Sequence, residues 1–147
     1  MSAGDAENLG PGGFGQLMGL RITSMTEQEV TAELTVGPQH HQPMGIVHGG
    51  VYCAIVETIC SLGGFVHASK RGNTVVGLDN STSFLKATRS GTLHASAKPI
   101  VVGSRTQLWE ATIRNDAGEL VATGRLRLMA LDGSSKIAGE TAGRVRA

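Results

Sequence analysis

The sequence predicts an α+β fold in which an antiparallel six-stranded sheet wraps around one long central helix. Three observations lead to this prediction. The segment 49–68 is apolar on nearly all sides, which is typical of a buried helix. Two strand-like segments precede it and four follow it, with polar turns between them. The chain has no other long helical segment, so helices are not expected to cover the second face of the sheet.

The remaining elements follow from alternation and turn signals. The expected elements are a helical turn at 14–18 and strands at 20–25, 30–36, 74–88, 92–102, 104–114 and 119–131. Simple alternation along the strand at 74–88 places on one unusually polar face Val75, Gly77, Asp79, Ser81 and Ser83. The expected layout is one domain at 14–131 between flexible tails at 1–13 and 132–147.

The composition excludes several classes of function. Of the 147 residues, 40% are hydrophobic and 17% are charged, as in a soluble globular protein. A net charge of +1, with one Trp, one Tyr and three Phe, argues against nucleic-acid binding, which needs a basic surface or stacking aromatics. No signal peptide is recognisable, and the apolar helix is interrupted by Glu57, Thr58 and Ser61. We therefore expect a cytoplasmic protein without a membrane span.

The sequence contains no motif for a metal or a nucleotide cofactor. Its five histidines do not form a metal-binding pattern, and it has no phosphate-binding Gly-rich loop or serine nucleophile motif. Cys53 and Cys60 are separated by roughly 10 Å along a helix, which is too far for a disulfide between them. We expect two reduced thiols, no metal site and no cofactor.

Glu57 is the sharpest functional clue in the sequence. It lies about two turns into the apolar helix, and no Lys or Arg stands within four residues to form an ion pair with it. A buried carboxylate without a partner is costly, which favours a role as nucleophile or general base over a structural role. Ser61 follows one turn later on the same face, where its hydroxyl could hold a water molecule or orient the carboxylate.

The start of the helix offers a second reactive group. Gly49 and Gly50 follow His48, and N–H groups at a helix N-terminus are unpaired and partly positive. Without side chains these residues let a carbonyl oxygen come close, so they are candidates for an oxyanion hole. The glycines could instead serve only a tight turn. We expect His48 to hold the loop through hydrogen bonds rather than to act as a base.

These two groups cannot serve one reacting carbonyl within a single chain. Gly49 and Glu57 are separated by roughly 12 Å along the helix axis. If both act on one centre, they must come from two chains whose helices lie antiparallel and side by side. The spacing therefore predicts an obligate homodimer with two shared sites.

The combination of these features resembles the hotdog-fold thioesterases, over roughly 14–131. The residues that carry the likeness are His48-Gly49-Gly50, the carboxylate nine positions after His48, and the strand order. Within that fold the sequence is similar to the PaaI-like group. Segments 47–54 and 80–84 resemble 4-hydroxybenzoyl-CoA thioesterases of the Arthrobacter type, and segments 57–61, 75–79 and 89–91 resemble 1,4-dihydroxy-2-naphthoyl-CoA thioesterases.

The resemblance implies a site assembled from both chains of a dimer. Glu57 would act as nucleophile or general base, while the Gly49 or Gly50 amide of the second chain would polarise the thioester carbonyl. Gln42 would position the thioester, His48 would support the loop, and the serine one turn after Glu57 would lie near the hydrolytic water. Coenzyme A is part of the substrate, so no separate cofactor is implied. Such dimers are expected to form a homotetramer, through either their helices or their sheet faces.

Contacts to the rest of the substrate are expected from polar and basic side chains. In the naphthoyl branch a His commonly occupies the position of Phe84, so the polar contact it makes to a hydroxylated ring would be missing here. Asn80 and Ser83 are further candidates to meet the acyl group. Candidates for binding the coenzyme A phosphates, each alternatively an ordinary solvated side chain, are Lys86, Arg89, Ser104, Arg105 and Arg125.

The sequence thus predicts an acyl-CoA thioesterase that hydrolyses aromatic or medium-chain acyl-CoA to the free acid and coenzyme A. The alternative is a non-catalytic hotdog module that binds acyl-CoA as a sensor or assembly piece. That module would keep the fold and the pocket without needing Glu57.

Overall fold

The computed structural model describes residues 10–142. Residues 1–9 of the tail expected at 1–13, and residues 143–147 of the tail expected at 132–147, therefore lie outside the described part of the chain. The element order agrees with the prediction. The helices are α1 Gly12–Met18 and α2 Gly49–Ser69, and the strands are β1 Leu20–Met25, β2 Val30–Thr35, β3 Asn73–Phe84, β4 Thr92–Val102, β5 Thr106–Arg114, β6 Leu120–Asp132, β7 Lys136–Ile137 and β8 Glu140–Thr141. A 3-10 turn, Pro38–His40, lies in the loop between β2 and α2.

Strands β1 to β6 form one antiparallel sheet in the order β1-β2-β4-β5-β6-β3. The strand that follows α2 therefore crosses to the far side of the sheet, and among residues 10–142 it pairs only with β6. Helix α2 packs against all six strands, with its most extensive contacts to β3. The predicted wrapping of one sheet around one helix is confirmed.

The core lies between α2 and the inner face of the sheet. Ile55, Val56 and Ile59 of the helix are fully buried. Each such side chain contributes about 1.5–3 kcal/mol of transfer free energy. At Gly63, late in the helix, a side chain would not fit, since an added Cβ would stand 2.4 Å from the ring of Trp109. By length and apolarity α2 could cross a membrane, but in this fold it is the central helix of the core.

Most boundaries lie within two residues of the sequence expectation, and two features differ by more. Strand β3 ends at Phe84 rather than at residue 88 because the amides of Leu85 and Lys86 both bond to the carbonyl of Val121, which ends the regular ladder. The expected flexible tail at 132–147 contains the β7–β8 hairpin. Its two turn residues, Ala138 (φ 49°) and Gly139 (φ 86°), both have positive φ, as a tight type I′ hairpin turn requires.

A β-bulge in β3 changes which residues face the helix. Gly77 pairs with Leu128 and Asp79 pairs with Arg127, so Leu78 is an extra residue without a partner. Beyond the bulge the helix-facing positions are therefore Asn80, Thr82 and Phe84. The alternation that placed Asp79, Ser81 and Ser83 beside Val75 and Gly77 is wrong for this reason.

Candidate active site

Glu57 lies on the side of α2, at an open cleft of about 310 Å³. The residue is half-buried rather than fully buried. Within residues 10–142 its carboxylate forms no ion pair. The cleft is lined by Glu57, Thr58, Ser61, Leu62, Phe65, Val75 and the segment 10–12. A carboxylate without a counter-ion thus borders a mainly apolar space that is open to solvent.

Strand β3 holds the Glu57 side chain in place. The amide Nδ2 of Asn80 donates to Glu57 Oε2 at 3.3 Å and to the Cys53 carbonyl at 3.0 Å. The other carboxylate oxygen, Oε1, lies over the backbone of Gly77, where an added Cβ would come within 2.4 Å of it. Glu57 can take this position because residue 77 is a glycine and the bulge turns Asn80 toward the helix.

The hydroxyl and thiol groups that follow Glu57 on the helix differ in whether they are free to bind or react. The Thr58 hydroxyl donates to the Ala54 carbonyl at 2.8 Å, whereas the Ser61 hydroxyl has no hydrogen bond to any described residue. Burial, and secondarily the nearby Glu57 carboxylate, raise the pKa of the Cys60 thiol far above its usual range. Cys60 therefore stays protonated and is no nucleophile, while Ser61 has a hydroxyl free to bind water or substrate.

The N-terminus of α2 leaves one amide available. His48 caps the helix, because its Nδ1 accepts from the Gly50 amide at 2.8 Å and its carbonyl accepts from the Val51 amide at 2.9 Å. The Gly49 amide has no acceptor within the described part of the chain. Of the two glycines left open by the sequence, Gly49 is therefore the one whose N–H can reach a ligand.

An aromatic ring lies beside that free amide. A Cβ on Gly49 would stand 2.5 Å from the ring of Phe84, so the ring packs directly on the glycine backbone. Phe84 also packs against Tyr52, with 5.9 Å between ring centroids, and 56% of the residue is exposed. The start of α2 thus combines a free N–H with an exposed apolar wall.

The loop before α2 is fixed from several directions. The Gln42 side-chain oxygen accepts from the Met44 amide, which leaves the Gln42 NH₂ group without an acceptor among the described residues. Arg89 Nη1 donates to the Met44 carbonyl at 2.8 Å. Buried His40 accepts from the Gly37 amide at 2.9 Å and bonds the Met18 carbonyl at 2.7 Å, which ties the loop to α1. Arg89, a candidate for the coenzyme A phosphates, thus also helps to hold the loop.

The remaining candidates form other contacts or lie at another pocket. Lys86 pairs with Glu119, and Arg125 lies 3.8 Å from Glu110 on the outer face of the sheet. Ser83 points away from the helix because of the bulge. Ser104 lines a different pocket, together with Lys70 and Arg71 at the C-terminal end of α2, and Arg105 is the next residue in the same turn.

Sequence reasoning missed two residues that shape the site. Gly77 makes room for the carboxylate, and Thr82 donates from its hydroxyl to Asn80 Oδ1 at 2.7 Å. Neither belongs to a motif. Their role follows from the bulge at Leu78, for which the sequence carries no signal that we recognise.

Comparison with known proteins identifies the family. The profile of the Thioesterase superfamily matches residues 44–122, which include the Gly49 helix start, Glu57 and Asn80. The chain belongs to the thioesterase superfamily. It is a thioester hydrolase with the hotdog fold, as the resemblance of its central motif implied.

Several relatives of this thioesterase match over most of their length. A Mycobacterium tuberculosis protein named as an esterase is 39% identical over 121 residues, which cover 81% of this chain and 86% of that protein. Its structure matches with a TM-score of 0.80, covering 81% of this chain and 96% of that one. A Haemophilus influenzae thioesterase structure has a TM-score of 0.81 at 33% identity, covering 90% and 92%.

A third relative has been solved as variants. The Staphylococcus aureus thioesterase is 25% identical, with coverage of 80% of this chain. Its structures match with TM-scores of 0.77 and 0.76 and cover 98% and 97% of that protein. In one a glutamate is replaced by alanine, and in the other a glutamine fifteen positions earlier is replaced.

Proposed function

We propose that this thioesterase is a cytoplasmic acyl-CoA hydrolase in which Glu57 is the catalytic carboxylate. The observation that carries the proposal is the unpaired carboxylate at the cleft, beside the free Ser61 hydroxyl. Gln42 and Glu57 are separated by fifteen positions, the same separation as the glutamine and glutamate replaced in the S. aureus enzyme. Gln42, with its free NH₂ group, would position the thioester.

Two routes lead from this carboxylate to the products. As a nucleophile, Glu57 attacks the thioester carbonyl, the C–S bond breaks, and a mixed anhydride forms while the thiolate leaves and takes a proton. Water then cleaves the anhydride and releases the acid. As a general base, Glu57 takes a proton from water, whose oxygen attacks the carbonyl directly and expels the thiolate. A single turnover in ¹⁸O-water separates the routes, because a mixed anhydride can leave the label in the Glu57 carboxylate.

The cleft suits an aromatic or medium-length acyl group. Its side walls near Glu57 are Leu62, Phe65 and Val75, and its volume of about 310 Å³ lies at the lower end of the roughly 300–1,000 Å³ of typical ligand pockets. No cation from residues 10–142 lines it. An apolar acyl chain would rest there, with Ser61 near the hydrolytic water.

The polarising amide would come from a second chain. Strand β3 is an edge strand of twelve residues, and it is largely exposed from Gly77 onward, including Leu78 at 50%. A long exposed edge with apolar side chains invites strand pairing. Pairing two copies along β3 would bring their α2 helices together, so that Gly49 of one chain faces Glu57 of the other. We propose such a homodimer, and a homotetramer built from two of them.

Alanine and aspartate substitutions of Glu57 test the proposed chemistry. With an acyl-CoA panel and detection of the released thiol, Glu57→Ala is expected to lower kcat by at least about 100-fold, because it removes the base or nucleophile. Glu57→Asp should retain part of the activity. Glu33→Gln, a carboxylate substitution on the outer face of β2, is the matched control and should keep wild-type turnover. Undiminished turnover by Glu57→Ala would reject the mechanism, and wild-type inactivity on every substrate would favour the acyl-CoA-binding module.

A further inference from the structure

The bulge in β3 brings the polar side chain of Asn80 to the Glu57 carboxylate. Asn80 Nδ2 donates to both Glu57 Oε2 and the Cys53 carbonyl, which lies one helical turn before Glu57. The Asn80 amide thus binds both a backbone carbonyl and a side chain within one turn of α2. Within residues 10–142, Asn80 is the only recorded hydrogen-bond donor to this carboxylate.

The Asn80 amide can face the carboxylate in only one orientation. Its Oδ1 accepts from the Thr82 hydroxyl at 2.7 Å, and its NH₂ group faces two acceptors. Rotating the amide by 180° would set its oxygen against the Cys53 carbonyl and the carboxylate, with no hydrogen between them. Thr82 is itself held close to β6, since a Cβ on Gly124 would stand 2.6 Å from its Oγ1.

The two carboxylate oxygens therefore have different surroundings. Oε2 is held by Asn80, whereas Oε1 lies over Gly77 without a hydrogen bond from any described residue. An amide is a neutral donor, so it orients the carboxylate without neutralising it as a Lys or Arg would. Oε1 remains the oxygen that can attack a carbonyl or take a proton.

We propose that Asn80, held by Thr82, is a positioning residue that fixes Glu57 Oε2 so that Oε1 is presented to the reacting centre. This assigns to Asn80 a role toward the enzyme's own carboxylate rather than toward the substrate. The inference depends on the proposed role of Glu57.

Substitutions at both positions test the arrangement. Asn80→Ala removes a hydrogen bond to a charged group and should lower kcat about tenfold with little change in KM. Thr82→Val, which keeps the shape but loses the hydroxyl, should lower kcat roughly threefold, and Thr82→Ser should restore most of that loss. Ser81→Ala, on the opposite face of β3, is the matched control and should behave as wild type. Thermal unfolding of each variant verifies that the fold is intact.

A double-variant experiment separates positioning from substrate binding. In the Glu57→Ala background, adding Asn80→Ala should change neither the residual turnover nor the affinity for a non-hydrolysable acyl-CoA thioether. A weaker affinity for the thioether in that background, or a raised KM with unchanged kcat in Asn80→Ala alone, would show that Asn80 contacts substrate and would overturn the inference. If Glu57→Ala keeps full turnover, the proposed function fails. If Glu57→Ala is inactive while Asn80→Ala matches wild type, only the present inference fails.

Discussion

Two glycines that lie against side chains have opposite consequences at the residue scale. A Cβ on Gly77 would meet the flexible end of Glu57 at 2.4 Å, whereas a Cβ on Gly63 would meet the fully buried ring of Trp109 at the same distance. The carboxylate can swing away into the cleft, but the indole cannot leave the core. A side chain at position 77 would therefore displace the carboxylate, whereas a side chain at position 63 would disturb the packing of the core.

We accordingly expect Gly77→Ala and Gly63→Ala to fail in different assays. Gly77→Ala should lower kcat by about 10- to 100-fold through misplacement of the carboxylate while the midpoint of thermal unfolding stays nearly unchanged. Gly63→Ala should lose about 1–3 kcal/mol through overpacking, offset in part by about 1 kcal/mol of helix propensity, and keep its kcat when folded. Denaturant unfolding and steady-state kinetics measure both. Wild-type kcat in Gly77→Ala would contradict the role assigned to this glycine.

At the scale of single residues, the sequence could identify candidate functional groups but not whether a hydrogen bond within the chain already occupies them. Glu57 stands out because an acid in an apolar helix needs a reason, and that argument requires only local sequence. The choice of Gly49 over Gly50 depends on the direction of the His48 imidazole, which accepts from the Gly50 amide. The hydrogen bond from Arg89 to the Met44 carbonyl could not be predicted, because nothing in the sequence shows that this carbonyl lies beside Arg89.

At the scale of elements, His94 of β4 links its neighbours on the outer face of the sheet. Its Nε2 lies 2.9 Å from Asp116 in the β5–β6 turn, and its Nδ1 lies 3.4 Å from Glu33 on β2. Arg21 pairs with the same Glu33, and neighbouring Arg114 donates instead to the Gly118 carbonyl. The hydrogen bond to Asp116, and secondarily the charge of Glu33, raise the pKa of His94 above its usual value of 6.5.

The stability that His94 contributes should therefore depend on pH. Since its pKa is higher in the folded than in the unfolded state, the contribution is complete below about pH 6.5 and is lost as pH rises through the folded-state pKa. The difference in unfolding free energy between wild type and His94→Gln should be larger at about pH 6 than at about pH 9. Denaturant unfolding across this range measures it, and Asp116→Asn should flatten the pH dependence. A difference that grows with pH would contradict this assignment.

Local patterns predicted most element boundaries but not how β3 is used. Apolar periodicity and turn residues are local, so the helix and the six main strands could be placed within a few residues. The pairing of β3 with β6 is a long-range choice. The bulge at Leu78 depends on fitting β3 to both β6 and the helix, and a one-residue offset exchanges the two faces of the strand. For that reason neither the hydrogen bond from Asn80 to Glu57 nor the contact of Thr82 with Asn80 was predicted.

At the scale of the whole molecule, the proposed dimer makes a prediction about mixed subunits. If Glu57 acts with the Gly49 and Gln42 region of a second chain, a Glu57→Ala chain and a Gln42→Ala chain complement each other in one of the two sites. Refolding the two variants together at equal amounts should restore about one quarter of wild-type activity, because half of the dimers are mixed and each has one intact site. Sedimentation of the mixture verifies assembly. Activity no greater than the mean of the separate variants would place both residues in one chain's site.

The position of Trp109 has a spectroscopic consequence. It is the only tryptophan in the chain, its ring is fully buried against Gly63 of α2, and the ring of His67 lies edge-on with 5.8 Å between centroids. Its emission therefore reports on contact between sheet and helix at a single point, six residues beyond Glu57. Loosening of α2 would shift that emission to longer wavelength, whereas events confined to the exposed cleft would leave it unchanged. Trp109 fluorescence therefore reports whether α2 is packed against the sheet.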